Sequence, residues 1–391
     1  MTMKSQQLNI MGLRDCMIVF MALLQMCCAD YTREMVCAMT MYPNGVEIAW
    51  ECEEHYHLMH CSGLYSPRDM LATRVQMYKE VGFIAFPRFR CGVAATLMAM
   101  NMTDYCREEP MMYAFPNWEL NNATEPWSMV SVIDLQLDEK SILWALDSGI
   151  MSSLSDNPII YSAPRLVSFC PNSGKMLSRN GFTNLVCADS RLQFMEVENT
   201  DDGQTYVYIS DAGTCALIVW NGEEVRGFKV ALPRDSTDYP LTKDVLYLGL
   251  IRRDEGSGPM LYYSYLHGTN MFYIRTCNIK SGRLIGSVVT VGMKPGPMLI
   301  LGTDKASTMY LRLKSRPELF MWNTFRPFRP KSLILLERAD LPFYSTQVMP
   351  GYKRLLWSLE SNYNDYFNDT HDSIGPRAKL RPLFKFCDTN F

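Results

Sequence analysis

The chain has 391 residues, 48% of them hydrophobic and 20% charged, with a formal net charge of −3. That balance belongs to a chain able to bury a large core, and the slight negative charge argues against a dedicated nucleic-acid binder, which needs a basic face to meet phosphate. No run of like charges marks an interaction tail, and the 28 methionines read as flexible core filler.

The first segment has the layout of a targeting signal. Lys4 and Arg14 are basic, Met17 to Met26 is apolar, and Cys27-Cys28-Ala29 puts small residues where cleavage after Ala29 needs them. The apolar run is shorter than the roughly 20 residues a membrane span requires. Residues 1–29 are therefore expected to be a secretory signal peptide, and 30–391 a single secreted domain without a membrane span. Of the 13 cysteines, Cys16, Cys27 and Cys28 leave with the signal. The remaining ten are expected to pair in part, as export implies. Asn101, Asn122 and Asn368 each open an Asn-x-Thr sequon and become glycosylation candidates behind such a signal.

Next comes Cys52-Glu-Glu-His55-Tyr-His57-Leu-Met-His60-Cys61, with three of the five histidines between two cysteines. These are zinc-ligand types, but the spacing fits no standard finger. On a strand, His55 and His57 would share one face. The preferred reading is a surface segment with Cys52 and Cys61 in disulfides and no metal. Ser66–Lys79 is the one stretch with room for a short helix.

Beyond residue 75 the pattern is that of strands, short runs rich in aromatic and β-branched residues between turn formers. Val81–Phe86, Val132–Leu137, Ile142–Leu146, Tyr206–Ser210, Ala216–Trp220, Val245–Leu250 and Met260–Tyr265 are such runs. Met271–Thr276, Thr308–Leu313, Glu318–Trp322 and Leu355–Leu359 continue them. Asp201-Asp202-Gly203, Asn221-Gly222, Lys280-Ser-Gly282 and Pro295-Gly296-Pro297 supply the turns. Many short strands need a way to hide sheet edges, and a β-propeller does so by radial repetition of four-stranded blades. An internal echo agrees: Leu143-Trp144-Ala-Leu146-Asp147-Ser148 against Leu356-Trp357-Ser-Leu359-Glu360-Ser361, with Tyr208-Ile209-Ser210-Asp211 a third variant. No G-x-S-x-G, H-E-x-x-H or P-loop is present, and His267 and His371 stand alone, so no catalytic residue and no cofactor is assigned.

Several phrases in order resemble the Yellow / major royal jelly family. They are Ser62-Gly63-Leu-Tyr65-Ser-Pro67, the segment Phe86-Pro87-Arg88 to Thr96-Leu97, Phe115-Pro116-Asn117-Trp118-Glu119 and Leu143-Trp144-Ala145-Leu146-Asp147-Ser148-Gly149. Ala163-Pro164-Arg165-Leu166, Tyr208 to Asp211, Leu261 to Leu266 and Trp322-Asn323 complete the series. Asn121-Asn122-Ala123, Glu139-Lys140-Ser141 and Met321 stand where the family usually carries cysteine, so its usual disulfides do not transfer. The resemblance implies an all-β, six-bladed β-propeller. It also implies either a secreted protein of extracellular pigmentation or melanisation that binds small aromatic (biogenic) amines in the channel without turnover, or an enzyme converting dopachrome-like catechol oxidation products. The candidate ligand residues are Asp147, Asp211 and Asn323, which end family-like strands, and the aromatics Tyr265, Phe325 and Tyr344. A carboxylate there would meet an amine and a ring would add cation–π attraction.

Overall fold

The computed structural model describes residues 39–383 and position 36, apart from 105–108, 234, 236–238, 241–243, 253–257, 283, 285 and 372–374. The expected signal peptide lies outside the described residues. Six small antiparallel sheets follow one another along the chain. Their inner strands are Arg74–Tyr78, Val132–Leu137, Leu192–Asn199, Leu246–Ile251, Met298–Thr303 and Tyr344–Pro350. Each touches the next, and the sixth touches the first, so the ring is closed. This is a six-bladed β-propeller; blades are numbered 1 to 6 in chain order. The face on which the inner strands begin is called upper here, and the opposite face lower.

The burial of each strand explains why some were readable. Second strands, and the third strands of blades 2 and 3, are covered on both faces by neighbouring blades. Leu143–Asp147, Ala216–Asn221, Met260–Tyr265 and Leu356–Ser361 are buried at every position, and such strands read as unbroken apolar runs. Outer strands meet solvent on one side and alternate instead, as Met176–Gly181 does. Trp144 and Trp357 are both buried, in the second strands of blades 2 and 6.

The ring closes through the early chain. Met41 exchanges backbone hydrogen bonds with Leu380 at 2.9 and 2.8 Å, which adds it to the outer edge of three-stranded blade 6. A few residues on, the Met112 amide donates to Glu47 and the Ala49 amide to the Met112 carbonyl, beside blade 1. The seam packs nine methionines, from Met39 and Met41 to Met349, around Trp357. Flexible thioethers fill the irregular gap where chain start and chain end must mesh.

The stretch Ser66–Lys79 is not a helix. Pro67–Asp69 makes one 3-10 turn, and Arg74–Tyr78 is the inner strand of blade 1. Val75 and Met77 are buried at a period of two, which a helix cannot satisfy. Arg88 of the Phe86-Pro87-Arg88 phrase is a buried organiser. Its guanidinium donates to the carbonyls of Val93, Ala94, Asn121, Met129 and Val130, and burial pushes it down to about 10.

Candidate functional site

The six candidate ligand residues do not converge. Strand register puts Asp147 opposite Val132 and Asp211 opposite Leu192, both at the upper face. Tyr265 lies opposite Leu246, and Tyr344 starts the inner strand of blade 6, on the same face. Asn323 pairs with Thr308 and so belongs to the lower face, as does Phe325 two residues on. Both Asp carboxylates are fully buried and engaged. Asp147 accepts from the amides of Val130 (3.0 Å), Ser131 (2.7 Å) and Gly149 (3.0 Å), and Arg165 lies 3.2 Å away. Gly149 suits this turn because its φ is +71° and a Cβ would meet the Ser162 carbonyl oxygen at 2.2 Å. Asp211 accepts from the Arg191 amide (2.8 Å), the Thr214 hydroxyl (2.7 Å) and Lys229 (2.6 Å). Burial alone would raise its carboxyl; Lys229 and these hydrogen bonds outweigh it and hold it low. The Asn323 side chain accepts from the Phe325 amide at 2.9 Å, with both residues exposed. Tyr265 is packed between blades 3 and 4, and Tyr344 lies over the buried Arg312 guanidinium at 5.2 Å.

The concave site is elsewhere, inside the channel. A cavity of about 270 Å³ is lined by Arg74, Asp134, Phe194, Glu196, Tyr247 and Lys305, among others. Every blade contributes through its inner strand, where polar residues at alternate positions point to the axis. Phe194 and Tyr247 stack at 4.9 Å, and the Arg74 guanidinium lies over Phe194 at 4.7 Å. Asp134 holds Arg74 at 3.0 Å and accepts from the Met195 amide at 2.7 Å; burial is the largest influence on its carboxyl, which is raised. Glu196 is buried, and burial pushes its carboxyl up to about 7 against the lowering pull of Lys305 and Arg74. Lys305, lowered by its own burial, donates to the Leu137 carbonyl at 3.2 Å. Sequence reading missed this set because it followed strand ends. The signal was present in V-I-D-L-Q-L, where Asp134 and Gln136 alternate with apolar neighbours.

At the upper mouth the fold assembles a second group. Asp244 precedes the inner strand of blade 4, and its Oδ1 lies 3.0 Å from His267 Nδ1. Nε2 of the same ring is 3.1 Å from Lys314 Nζ, and Tyr239 stacks on the imidazole at 3.7 Å. His267, isolated in sequence, is thus one of a cluster drawn from two adjacent blades.

The early Cys/His cluster is a helix, Glu53–Cys61. Cys52 is its N-cap, and its thiol accepts from the His55 amide at 3.4 Å. Helical spacing separates the histidines that a strand would have aligned. His55 packs edge-on against Trp50 and Trp118, while His57 and His60 are exposed. Cys52 and Cys61 carry free thiols, which corrects the expectation of disulfides there. The other described cysteines, Cys91, Cys170, Cys187, Cys215 and Cys277, are likewise unpaired. Among the described residues no three His, Cys, Asp or Glu side chains gather as a metal site would need, and no helix is long and apolar enough to cross a membrane. Asn101, Asn122 and Asn368 are all exposed, and the first two accept from the threonine of their own sequon at 2.9 Å.

Comparison with known proteins places this architecture. Residues 130–379 match the family model described as Major royal jelly protein. The chain is 22% identical over 286 residues to major royal jelly protein 9 of Apis mellifera, across 67% of this chain and 64% of that protein. It is 31% identical over 104 residues to Protein yellow of Drosophila melanogaster, across 26% of this chain and 19% of that protein. The chain therefore spans less than two thirds of the first relative and about a fifth of the second. Among solved structures, virginiamycin B lyase from Staphylococcus aureus is similar at a TM-score of 0.44 and 9% identity, over 75% of this chain and 80% of that one. A likeness at that level carries no argument about function. The family match runs from the start of blade 2 into the last strand of blade 6, well over half of the sequence, and the chain belongs to the major royal jelly protein family.

Proposed function

We propose that this chain is a secreted Yellow-like protein that holds a small aromatic amine in the channel cavity without turnover, in extracellular pigmentation or melanisation. The observation that carries the reading is Glu196, a buried carboxylate facing a cavity walled by the stacked Phe194 and Tyr247. Its volume, about 270 Å³, is just below the roughly 300–1,000 Å³ of pockets for drug-sized ligands. An ammonium adds a direct counter-charge to Glu196, which Lys305 and Arg74 offset only in part against burial, and the rings stack on an aromatic nucleus. Arg74 is already held by Asp134, so it competes little for Glu196.

Calorimetry with serotonin and dopamine tests this, on the wild type and on Glu196→Gln, Asp147→Asn and Asp211→Asn. Stoichiometric binding weakened about tenfold or more in Glu196→Gln is expected, the scale of one charge-assisted hydrogen bond. Asp147 and Asp211, the partners expected from the sequence, take over the role if their variants lose affinity instead while circular dichroism shows them folded at the temperature of the titration. Equal affinity in wild type and Glu196→Gln removes Glu196 from the reading. Multiple turnover of dopachrome by the purified protein makes the chain an enzyme of catechol oxidation products rather than a binder.

A further inference from the structure

The upper mouth carries a group of side chains that the amine reading does not use. Asp244 is almost wholly buried, and its Oδ1 accepts from the Val245 amide (2.9 Å), the His267 amide (3.2 Å) and His267 Nδ1 (3.0 Å). Its Oδ2 is buried with no hydrogen-bond partner among the described residues. The pairing with Oδ1 fixes the hydrogen on Nδ1 and turns Nε2 outward. The loop bearing His267 is rigid. Leu266 bonds to Val245 and Met298, and Gly268 approaches Asp235 so closely that a Cβ would lie 2.3 Å from its Oδ2.

Lys314, from the corresponding loop of blade 5, faces Nε2 at 3.1 Å. Its backbone is pinned on both sides, its amide donating to Pro297 at 2.9 Å and its carbonyl accepting from the buried Arg312 at 2.8 Å. Its side chain is exposed and has no carboxylate partner among the described residues. Two nitrogens from separate, rigid loops thus converge at the channel mouth. One is an uncompensated ammonium and the other an imidazole backed by a buried acid.

We propose that Nε2 of His267 and Nζ of Lys314 form a two-point site for a small carboxylate at the upper mouth of the channel. One carboxylate oxygen accepts from each nitrogen, a pair of charge-assisted hydrogen bonds. Nε2 must carry a hydrogen to donate, so binding takes up one proton, and the resulting imidazolium faces the buried Asp244 directly, beside the more distant charges of Arg191 and Lys294. Among the three groups that meet the ligand or its imidazole, Lys314 and the imidazolium against Asp244 leave one positive charge, the complement of a monoanion. Among the described residues, the charged and titratable groups around the ring are Asp244, Tyr239 and Lys314, with Arg191 donating to the Asp244 carbonyl. Beneath the loop, Lys294 donates to the carbonyls of Tyr265 and Leu266, and Asp235 accepts from Thr269 and Asn270.

The test is an NMR titration of the full chain with benzoate, following the His267 ring signals, with the other four histidines as internal reference. Saturable movement of His267 is expected, with affinity rising as pH falls by up to about tenfold per unit, the limit for one linked proton. Lys314→Met, at an exposed position, should weaken binding about tenfold. His267→Gln, checked for an unchanged melting temperature, should abolish the pH slope. Unmoved His267 signals, or the same affinity in wild type and Lys314→Met, overturn the proposal. So does saturation by inorganic phosphate without saturation by benzoate.

Discussion

Asp147 in blade 2 and Glu360 in blade 6 occupy the same place in their second strands. Each lies beside a register shift of the inner strand, between Val132 and Asp134 in one blade and Ser345 and Gln347 in the other. Each is fully buried and paired with an arginine of the third strand, Arg165 at 3.2 Å and Arg381 at 2.6 Å. The echo of Leu-Trp-x-Leu-acid is thus a repeated structural unit. Even the indoles act alike: Trp144 donates to Asp138 at 2.9 Å and Trp357 to the Tyr352 carbonyl at 3.0 Å, each in the loop before its own strand.

That equivalence predicts matched costs. Trp144→Ala and Trp357→Ala should each destabilise the protein by roughly 3–5 kcal/mol, the range for emptying a large aromatic site in a core. Urea unfolding measures it. A loss under about 1 kcal/mol in either variant would mean that the site collapses around the gap.

Asp147→Asn should lower stability by roughly 3–5 kcal/mol, because it leaves Arg165 without its buried partner. Thermal unfolding checks the loss. An unchanged midpoint would show that the backbone donors alone hold the turn.

Arg88→Met exchanges a buried cation for an apolar chain of similar length and leaves five carbonyls short of a donor. A loss of about 3 kcal/mol or more is expected, since buried acceptors without partners cost roughly 1–3 kcal/mol each and water can reach some of them. Chemical denaturation of the variant gives the number; wild-type stability would refute the role of organiser.

Glu196 makes stability depend on pH in a direction unusual for an acid. Its folded carboxyl, at about 7, lies above the ordinary value of 4.5. Between those values the folded protein holds a proton that the unfolded chain has released. Its contribution is therefore fully present below about pH 4.5 and is lost as pH rises through 7. The full span is about 3 kcal/mol at 1.36 kcal/mol per unit. Glu196→Gln should flatten that part of the profile, which denaturation at pH 5, 6, 7 and 8 would reveal. An amine bound to ionised Glu196 should hold more tightly as pH rises over the same window.

Secreted protein should begin near Asp30 and carry glycan on at least one of Asn101, Asn122 and Asn368, all exposed. Amino-terminal sequencing and the mass change on enzymatic deglycosylation decide it. An intact leader on a cytosolic product would end the secretion reading.

The amino-acid pattern marked the central strands of the blades, and the resemblance to the family supplied their number. Strands buried on both faces must be continuously apolar, so ALIVW, MLYYSY and LLWSL announced themselves, and the Trp144 and Trp357 repeats followed from the same packing. The inner strand Tyr344–Pro350 was silent because one face meets the channel and its composition, Y-S-T-Q-V-M-P, resembles a loop; the outer strand Ile334–Arg338 is apolar at its start yet largely exposed, a pattern that marks no core strand. The helix Glu53–Cys61 was missed for another reason: it buries no residue completely, so its period left little trace. Which polar residues face a cavity was settled by the packing of distant strands. Asp147 and Asp211 looked like site residues at strand ends, yet each spends its oxygens on the turn that starts its own blade. Glu196, Arg74 and Lys305 come together because six inner strands, far apart in sequence, converge on one axis. His267 met Asp244 and Lys314 in the same way, through loops of adjacent blades that no local pattern connects.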